Sequence, residues 1–404
     1  MKLQRSHIIL TVFWFNWFWN LAIMVMISAI MPAIQEALSL SPAATGLLLS
    51  VFSLGSTTSN LGSGLFCTLL GRKNMIRLGI CTSLICMFSI SLTTNYLFLL
   101  ILLILLGFGF GTYWPAALSI LSDFFSSKER GRYIGIHEMA APAGMTFGPI
   151  FVSLILNLGL GWAGSIQAWI IPGVIILISQ FVFVKEQKKL ESSPEEQRLD
   201  NTLLDQESKS SSWIVKFLLL VVAAQFCRNL AWAETTMLPT YWVSDLKVDI
   251  GTAAFIFGIT RIFAIFAQLG AGYLSDLFGR LKVLIVIQAL TGLFLIPTSY
   301  LPFGIPLFAS FAVFSIFFNC FVPVLFAFIS DSVSKPLERA KIFGLVGACG
   351  GISGLIGPVV LGLVAENFSF KVAWSIPIVT GFISLLFLLL LANQFKILKI
   401  QKEK

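Results

Sequence analysis

Charge is what this sequence has least of. Asp, Glu, Lys and Arg together make up 11% of its 404 residues, where a soluble domain carries about 25%. A water-facing surface of ordinary charge density cannot be built from so few charges, so lipid is left as the solvent for most of the surface. Histidine is nearly absent, with two residues. The six cysteines (Cys67, Cys81, Cys86, Cys227, Cys320 and Cys349) form neither a CxxC nor a Cys/His cluster. Each reads as a small apolar core residue, and neither a disulfide nor a metal is expected. No glycine-rich phosphate loop ending in Lys-Ser or Lys-Thr occurs, so ATP is not the expected energy source and no cofactor is expected. No nucleophile–base pair is recognisable, which leaves an enzyme reading without support.

Long apolar runs are what the sequence has instead. Hydrophobic residues make up 57% of the chain, with 38 Phe among them. A membrane-crossing helix needs about 20 apolar residues. Twelve stretches qualify: 8–34, 43–69, 75–94, 96–122, 133–158, 164–184, 214–240, 252–276, 282–300, 305–331, 340–365 and 371–392. The first is too long for the apolar region of a cleaved signal peptide, about 7–15 residues, and reads as the first span. Continuous runs of this length predict helices rather than barrel strands, since only a helix satisfies its backbone within one segment.

Lys and Arg follow one alternation of loops. With the N-terminus inside, 22 of the 27 fall in inside segments. The outside loops hold only Lys247 and Lys371. Lys216 sits at an inner helix entrance, and Arg228 and Arg261 lie within spans. This asymmetry predicts both termini in the cytoplasm. It also accounts for the net charge of +8 without nucleic acid. The polar segment 185–213, rich in Glu, Ser, Gln and Lys, reads as a cytoplasmic linker. It separates an N-terminal six-helix bundle (1–184) from a C-terminal one with a short tail (214–404).

The two bundles are copies. At an offset of about 208 positions, Gly64, Gly71 and Arg72 fall on Gly272, Gly279 and Arg280, Pro115 on Pro323, and Asp123 on Asp331. Glu129-Arg130 and Gly148-Pro149 match Glu338-Arg339 and Gly357-Pro358 with one residue inserted. Parallel repeats of this kind belong to six-plus-six transporters whose substrate site lies at mid-membrane between the halves. Here the whole chain resembles the major facilitator superfamily. The family's loop motif G-x-L-x-D-R-x-G-R-R is similar to GYLSDLFGRL (Gly272–Leu281) and, with Thr68 in place of the Asp, to GLFCTLLGRK (Gly64–Lys73). Leu103 stands where the fourth span of many members carries an Arg. GMTFGP (Gly144–Pro149) is similar to the start of an exchanger motif, with Val152 and Ser153 replacing its later glycines. The resemblance implies an all-α membrane protein of twelve helices in two pseudo-symmetric bundles. It also implies gating by Arg72, Asp276 and Arg280 at the inner loops. The Gly-Pro pairs Gly148-Pro149 and Gly357-Pro358 supply close packing and bending, and Glu234 is an entrance or gating residue.

Ionisable groups at membrane depth cost at least about 2.5–3.5 kcal/mol and usually face a cavity or a partner. At the helical rise, Arg228 lies roughly 20 Å and Arg261 roughly 15 Å into their spans. The resemblance places Arg228 on a cavity-lining span, with Asn20 as its repeat mate. Arg228 and Arg261 are therefore expected to meet a substrate carboxylate or phosphate; the competing reading is a structural pair, for example with Glu138. Glu138 and then His137 are the candidates for carrying a proton; a latch to the basic inner loops competes. Asn16 and Asn20 share a helix face in an aromatic run and, with Tyr113 and Trp114, are candidate substrate contacts. The expectation is a monomeric, proton-coupled secondary transporter of an organic anion or polar metabolite, in a bacterial inner membrane. A drug/proton antiporter and a transport-dead membrane sensor are the alternatives.

Overall fold

The structure, a computed structural model, describes residues 2–125, 130–184, 212–333 and 336–402. The expected linker therefore lies outside the described residues except for Ser212 and Trp213, which open the first helix of the second half. The described chain folds into helices α1 (Lys2–Ala37), α2 (Pro42–Leu70), α3 (Arg72–Leu92), α4 (Tyr96–Gly111), α5 (Tyr113–Phe124), α6 (Arg130–Glu138), α7 (Ala140–Asn157) and α8 (Gly161–Phe183). After the linker come α9 (Ser212–Thr235), α10 (Leu238–Ser244), α11 (Ile250–Ile259), α12 (Ile262–Phe278) and α13 (Arg280–Tyr300). The last are α14 (Ile305–Ser332), α15 (Pro336–Asn367), α16 (Phe370–Ala373) and α17 (Ser375–Lys402).

These helices make the twelve spans in two bundles. Several spans are interrupted where sequence reading had one run. The fourth breaks at Thr112, the fifth at Met139, the eighth at Thr260–Arg261, and the last at Trp374. The seventh continues past a turn into α10. Eleven of the spans are long and apolar enough to cross a membrane by composition alone. The exception is α2, because Ser53, Ser56, Thr57 and Asn60 dilute its apolar content. Those residues line the central cavity, which explains why a membrane helix tolerates them.

Local signals set the helix ends. Ser41 caps α2, its Oγ accepting from the Ala44 N–H at 3.3 Å, with Pro42 in the first turn. Asp249 caps α11 through the Thr252 N–H at 2.9 Å. Gly71 and Gly279, repeat mates, sit at φ 80° and 91° between α2 and α3 and between α12 and α13. That left-handed conformation favours glycine, so each lets the chain reverse in one residue.

Within and between bundles, glycine lets backbones touch. A Cβ at Gly148 would sit 2.8 Å from the Ala22 carbonyl oxygen, and one at Gly144 would overlap that of Phe18; this seats α7 on α1. Across the bundles, a Cβ at Gly46 would collide with the Pro358 carbonyl, one at Gly362 with that of Pro42, and one at Gly258 would lie 2.6 Å from that of Thr146. All three contacts lie toward one end of the molecule. Glycines toward the other end, Gly64, Gly135, Gly272, Gly344 and Gly347, have nothing within 4 Å of such a Cβ. The bundles are thus sealed at one end and parted at the end bearing Arg72 and Arg280. Between them lies a cavity of about 1120 Å³.

Candidate functional site

The cavity wall is mostly apolar, with aromatic rings and hydroxyl groups set into it. Trp114 and Phe110 contribute from the first bundle, Trp232 and Phe326 from the second. The α2 stripe Ser53, Ser56, Thr57 and Asn60, spaced at helical intervals, supplies polar atoms. Sequence reading had missed this stripe; its signal was the polarity of α2 itself.

Arg228 and Arg261 lie behind this wall, 1% and 3% exposed. Arg228 Nη1 donates to Asn229 Oδ1 at 3.2 Å and Nη2 donates to the Phe318 carbonyl, while Nε is buried without a partner. Its guanidinium lies 3.8 Å from the Phe318 ring centroid and 4.5 Å from that of Phe321. Arg261, at the break between α11 and α12, donates to the Phe257 carbonyl at 2.9 Å. It faces the rings of Phe257 at 3.8 Å, Phe311 at 5.2 Å and Trp232 at 6.0 Å. Trp232 stacks on Phe318 at 5.3 Å. The two cations therefore flank one aromatic stack whose outer ring, Trp232, lines the cavity. Among the described residues neither forms an ion pair with a carboxylate. The Glu234 side chain lies outside the described residues.

Glu138, offered as a structural partner for Arg228, is engaged elsewhere. Its Oε1 accepts from Trp114 Nε1 at 3.1 Å and lies 3.1 Å from His137 Nδ1. His137 Nε2 lies 2.9 Å from the Tyr113 hydroxyl, which donates to the Phe13 carbonyl at 2.6 Å. Trp17 stacks on both Tyr113 and His137. His137 and Tyr113 are 0% and 1% exposed, whereas the Glu138 side chain is 39% exposed. Tyr113 is thus part of this buried chain and Trp114 alone of the two lines the cavity. Tyr113 opens α5 and Glu138 closes α6, so both sit at span interruptions, a usual location for binding residues in transporters.

Asn16 and Asn20 bond each other, Asn20 Nδ2 donating to Asn16 Oδ1 at 2.8 Å, and both are buried. Asn16 Nδ2 remains without a partner. Arg72 pairs with Asp123 at 2.6 Å, and Arg280 with Asp276 at 2.9 Å and with Asp331. None of these pairs crosses between bundles: the Arg72 pair lies in the first and both Arg280 pairs in the second. Pro149 and Pro358 lie inside α7 and α15, and the Pro358 carbonyl is part of the seal against Gly46; Gly357 precedes it. At the sealed end Glu366 Oε2 accepts from the Ala43 N–H at 3.0 Å, so a carboxylate of α15 caps the first turn of α2 across the bundles. Sequence reading had not singled out Glu366.

The profile of the Major Facilitator Superfamily matches residues 13–272 and 221–403. The chain is 24% identical over 358 residues to the hexuronate transporter of Bacillus subtilis (strain 168), covering 83% of this chain and 82% of that protein. It is 22% identical over 252 residues to a probable L-galactonate transporter of Escherichia coli (strain K12), covering 60% of this chain and 55% of that protein. The chain thus spans about half the length of that relative. Among solved structures, a bacterial homologue of the human lysosomal transporter Spinster, inward-facing and unoccupied, superposes with a TM-score of 0.78 at 17% identity, covering 97% and 98% of the two chains. A D-xylose-proton symporter superposes at 0.75 with 13% identity, covering 96% and 97%.

Proposed function

The chain belongs to the Major Facilitator Superfamily, and we propose that it is a secondary active transporter that carries a small organic anion by alternating access, driven by protons. The observation that carries this reading is the pair of buried arginines behind the cavity wall. A buried guanidinium normally requires an anion or a full set of acceptors. Among the described residues Arg228 and Arg261 have amide and backbone carbonyls and aromatic faces instead, and Arg228 Nε has no partner. A carboxylate entering past Trp232 supplies the missing charge, and its two oxygens suit the guanidinium fork. The relatives' names agree: L-galactonate, hexuronate and cis,cis-muconate are all carboxylates.

Glu138 and His137 are the proton carriers in this reading, and Asn16 and Asn20 support the wall nearest them. Arg72, Asp276 and Arg280 operate the parted end, and Gly148, Pro149, Gly357, Pro358 and Glu234 the helices that must move. The protein is an integral multi-pass membrane protein. We place it, as a monomer, in a bacterial inner membrane with both termini in the cytoplasm, on the strength of the charge asymmetry. The parted end then faces the cytoplasm.

A second reading, proton-driven efflux of amphipathic compounds, draws on the aromatic wall formed by Trp114, Phe110, Trp232 and Phe326. A thermal-shift panel of carboxylates and of cationic amphipaths separates the two. The anion reading expects carboxylates to stabilise the protein and Arg228→Gln to abolish that stabilisation; stabilisation by amphipathic cations alone overturns it.

A further inference from the structure

We propose that Tyr113 is a positioning residue that holds His137 in a single tautomer, so that the His137–Glu138 pair stays closed only while it carries one proton. This deepens the proton-driven reading above and rests on it. Two oxygens 2.6 Å apart require a hydrogen between them, and the Phe13 carbonyl has none to give. The single Tyr113 proton is therefore spent on Phe13. Its oxygen can then only accept from His137, so Nε2 must carry a hydrogen.

The consequence falls on the other ring nitrogen. A neutral imidazole has one N–H, already committed at Nε2, so its Nδ1 presents a lone pair to Glu138. The 3.1 Å contact between Nδ1 and Glu138 Oε1 needs a further proton. Trp114 also donates to that oxygen, so the carboxylate is best suited as an acceptor from two N–H groups. The closed pair is then an imidazolium with both N–H bonds made and an ionised Glu138. On release, the Nδ1–H bond breaks, the proton passes to Oε1 and on to cavity water, and a neutral imidazole faces a bare carboxylate. The two repel, and Glu138 turns away from His137. Because Trp114 lines the cavity and holds the same oxygen, loss of the proton reshapes the wall that the substrate meets.

Among the described residues, the titratable groups in hydrogen-bond contact with His137 are Tyr113 from α5 and Glu138 on its own helix; α6 also carries Arg132 and Tyr133, and the Tyr133 hydroxyl lies 3.3 Å from Nε2 of His7 on α1. From α1 the His137 ring is covered by Trp17, stacked at 6.2 Å, and α7 contains no titratable residue.

The chain has two histidines, His7 and His137, which makes the test direct. Nitrogen NMR of the full-length protein labelled with 15N-histidine reports which ring nitrogen bears hydrogen, and the His7→Asn variant assigns the second signal. The expected result for neutral His137 in the wild type is a hydrogen on Nε2. In Tyr113→Phe the hydrogen shifts to Nδ1, and pH-driven uptake falls relative to substrate exchange in proteoliposomes. A neutral wild-type His137 with its hydrogen on Nδ1 overturns the proposal, and that measurement needs no variant to fold. So does a Tyr113→Phe protein with unchanged tautomer and unchanged coupling. If wild-type uptake ignores an imposed pH gradient, the proton-driven reading fails as well, whatever the tautomer.

Discussion

Arg72 Nη2 lies 2.6 Å from Asp123 Oδ2, and its repeat mate Arg280 binds Asp331, the repeat mate of Asp123. Each pair ties the first turn of one helix, α3 or α13, to the last turn of another, α5 or α14. Duplicated sequence has thus kept a duplicated contact at the parted end. The pairs are part-exposed, so each contributes under about 1 kcal/mol to stability. Their expected effect is on the conformational equilibrium. Asp331→Asn should lower transport with little change in thermal unfolding, and exchanging the charges (Arg280→Asp with Asp331→Arg) should restore it in part. A large loss of unfolding temperature in Asp331→Asn would show a purely structural contact instead.

Arg228→Lys should fail to rescue what Arg228→Gln loses. An ammonium is a point donor and cannot reproduce a guanidinium that bonds Asn229 and the Phe318 carbonyl while offering a free Nε. Hydrogen bonds to charged groups contribute about 1.5–3 kcal/mol, so anion affinity should fall by roughly tenfold or more. Binding measured by calorimetry on the purified protein checks this.

Gly46→Leu should weaken the seal. A side chain there cannot coexist with the Pro358 carbonyl, so α2 and α15 must part. The state sealed at this end should lose population to the one open there. With Asn60→Cys as a reporter on the cavity wall, labelling by a membrane-impermeant thiol reagent from the Glu366 end should rise relative to the Gly46 parent.

Glu366→Gln tests the same seal more gently. The Ala43 N–H keeps an acceptor, but the charge at the α2 N-terminus is lost. Helix-terminus charges are worth about 0.3–1 kcal/mol at exposed sites, so the same labelling should rise by a few-fold at most, and less than in Gly46→Leu.

Much of the fold was legible because its causes are local in sequence. Apolar run length set the spans, and Gly71 and Gly279 marked the same reversal in both copies. The interruptions at Thr112 and Met139 fall three residues before Pro115 and Pro142, whose missing N–H frees the carbonyls four residues back, a local mark that run length alone passes over; the one at Thr260 has no such proline and was not legible. Residue types at depth drew attention to Arg228, Arg261, His137 and Glu138. Their partners were not legible: Phe318 is 90 positions from Arg228 and Tyr113 is 24 from His137, separations that no helical period connects. The face-sharing of Asn16 and Asn20 was readable from their spacing, and they bond each other.

The central claim is that an anion moves with protons past the two buried arginines. Its most direct measurement is uptake of labelled galactonate, a hexuronate and cis,cis-muconate into proteoliposomes with an imposed pH gradient, for wild type and Arg228→Gln. The account predicts that the wild type accumulates at least one of them above equilibrium. That accumulation should collapse with a protonophore and be missing in Arg228→Gln. Undiminished accumulation by Arg228→Gln, or the absence of gradient-driven uptake of any carboxylate by a wild type that moves cationic amphipaths, would contradict it.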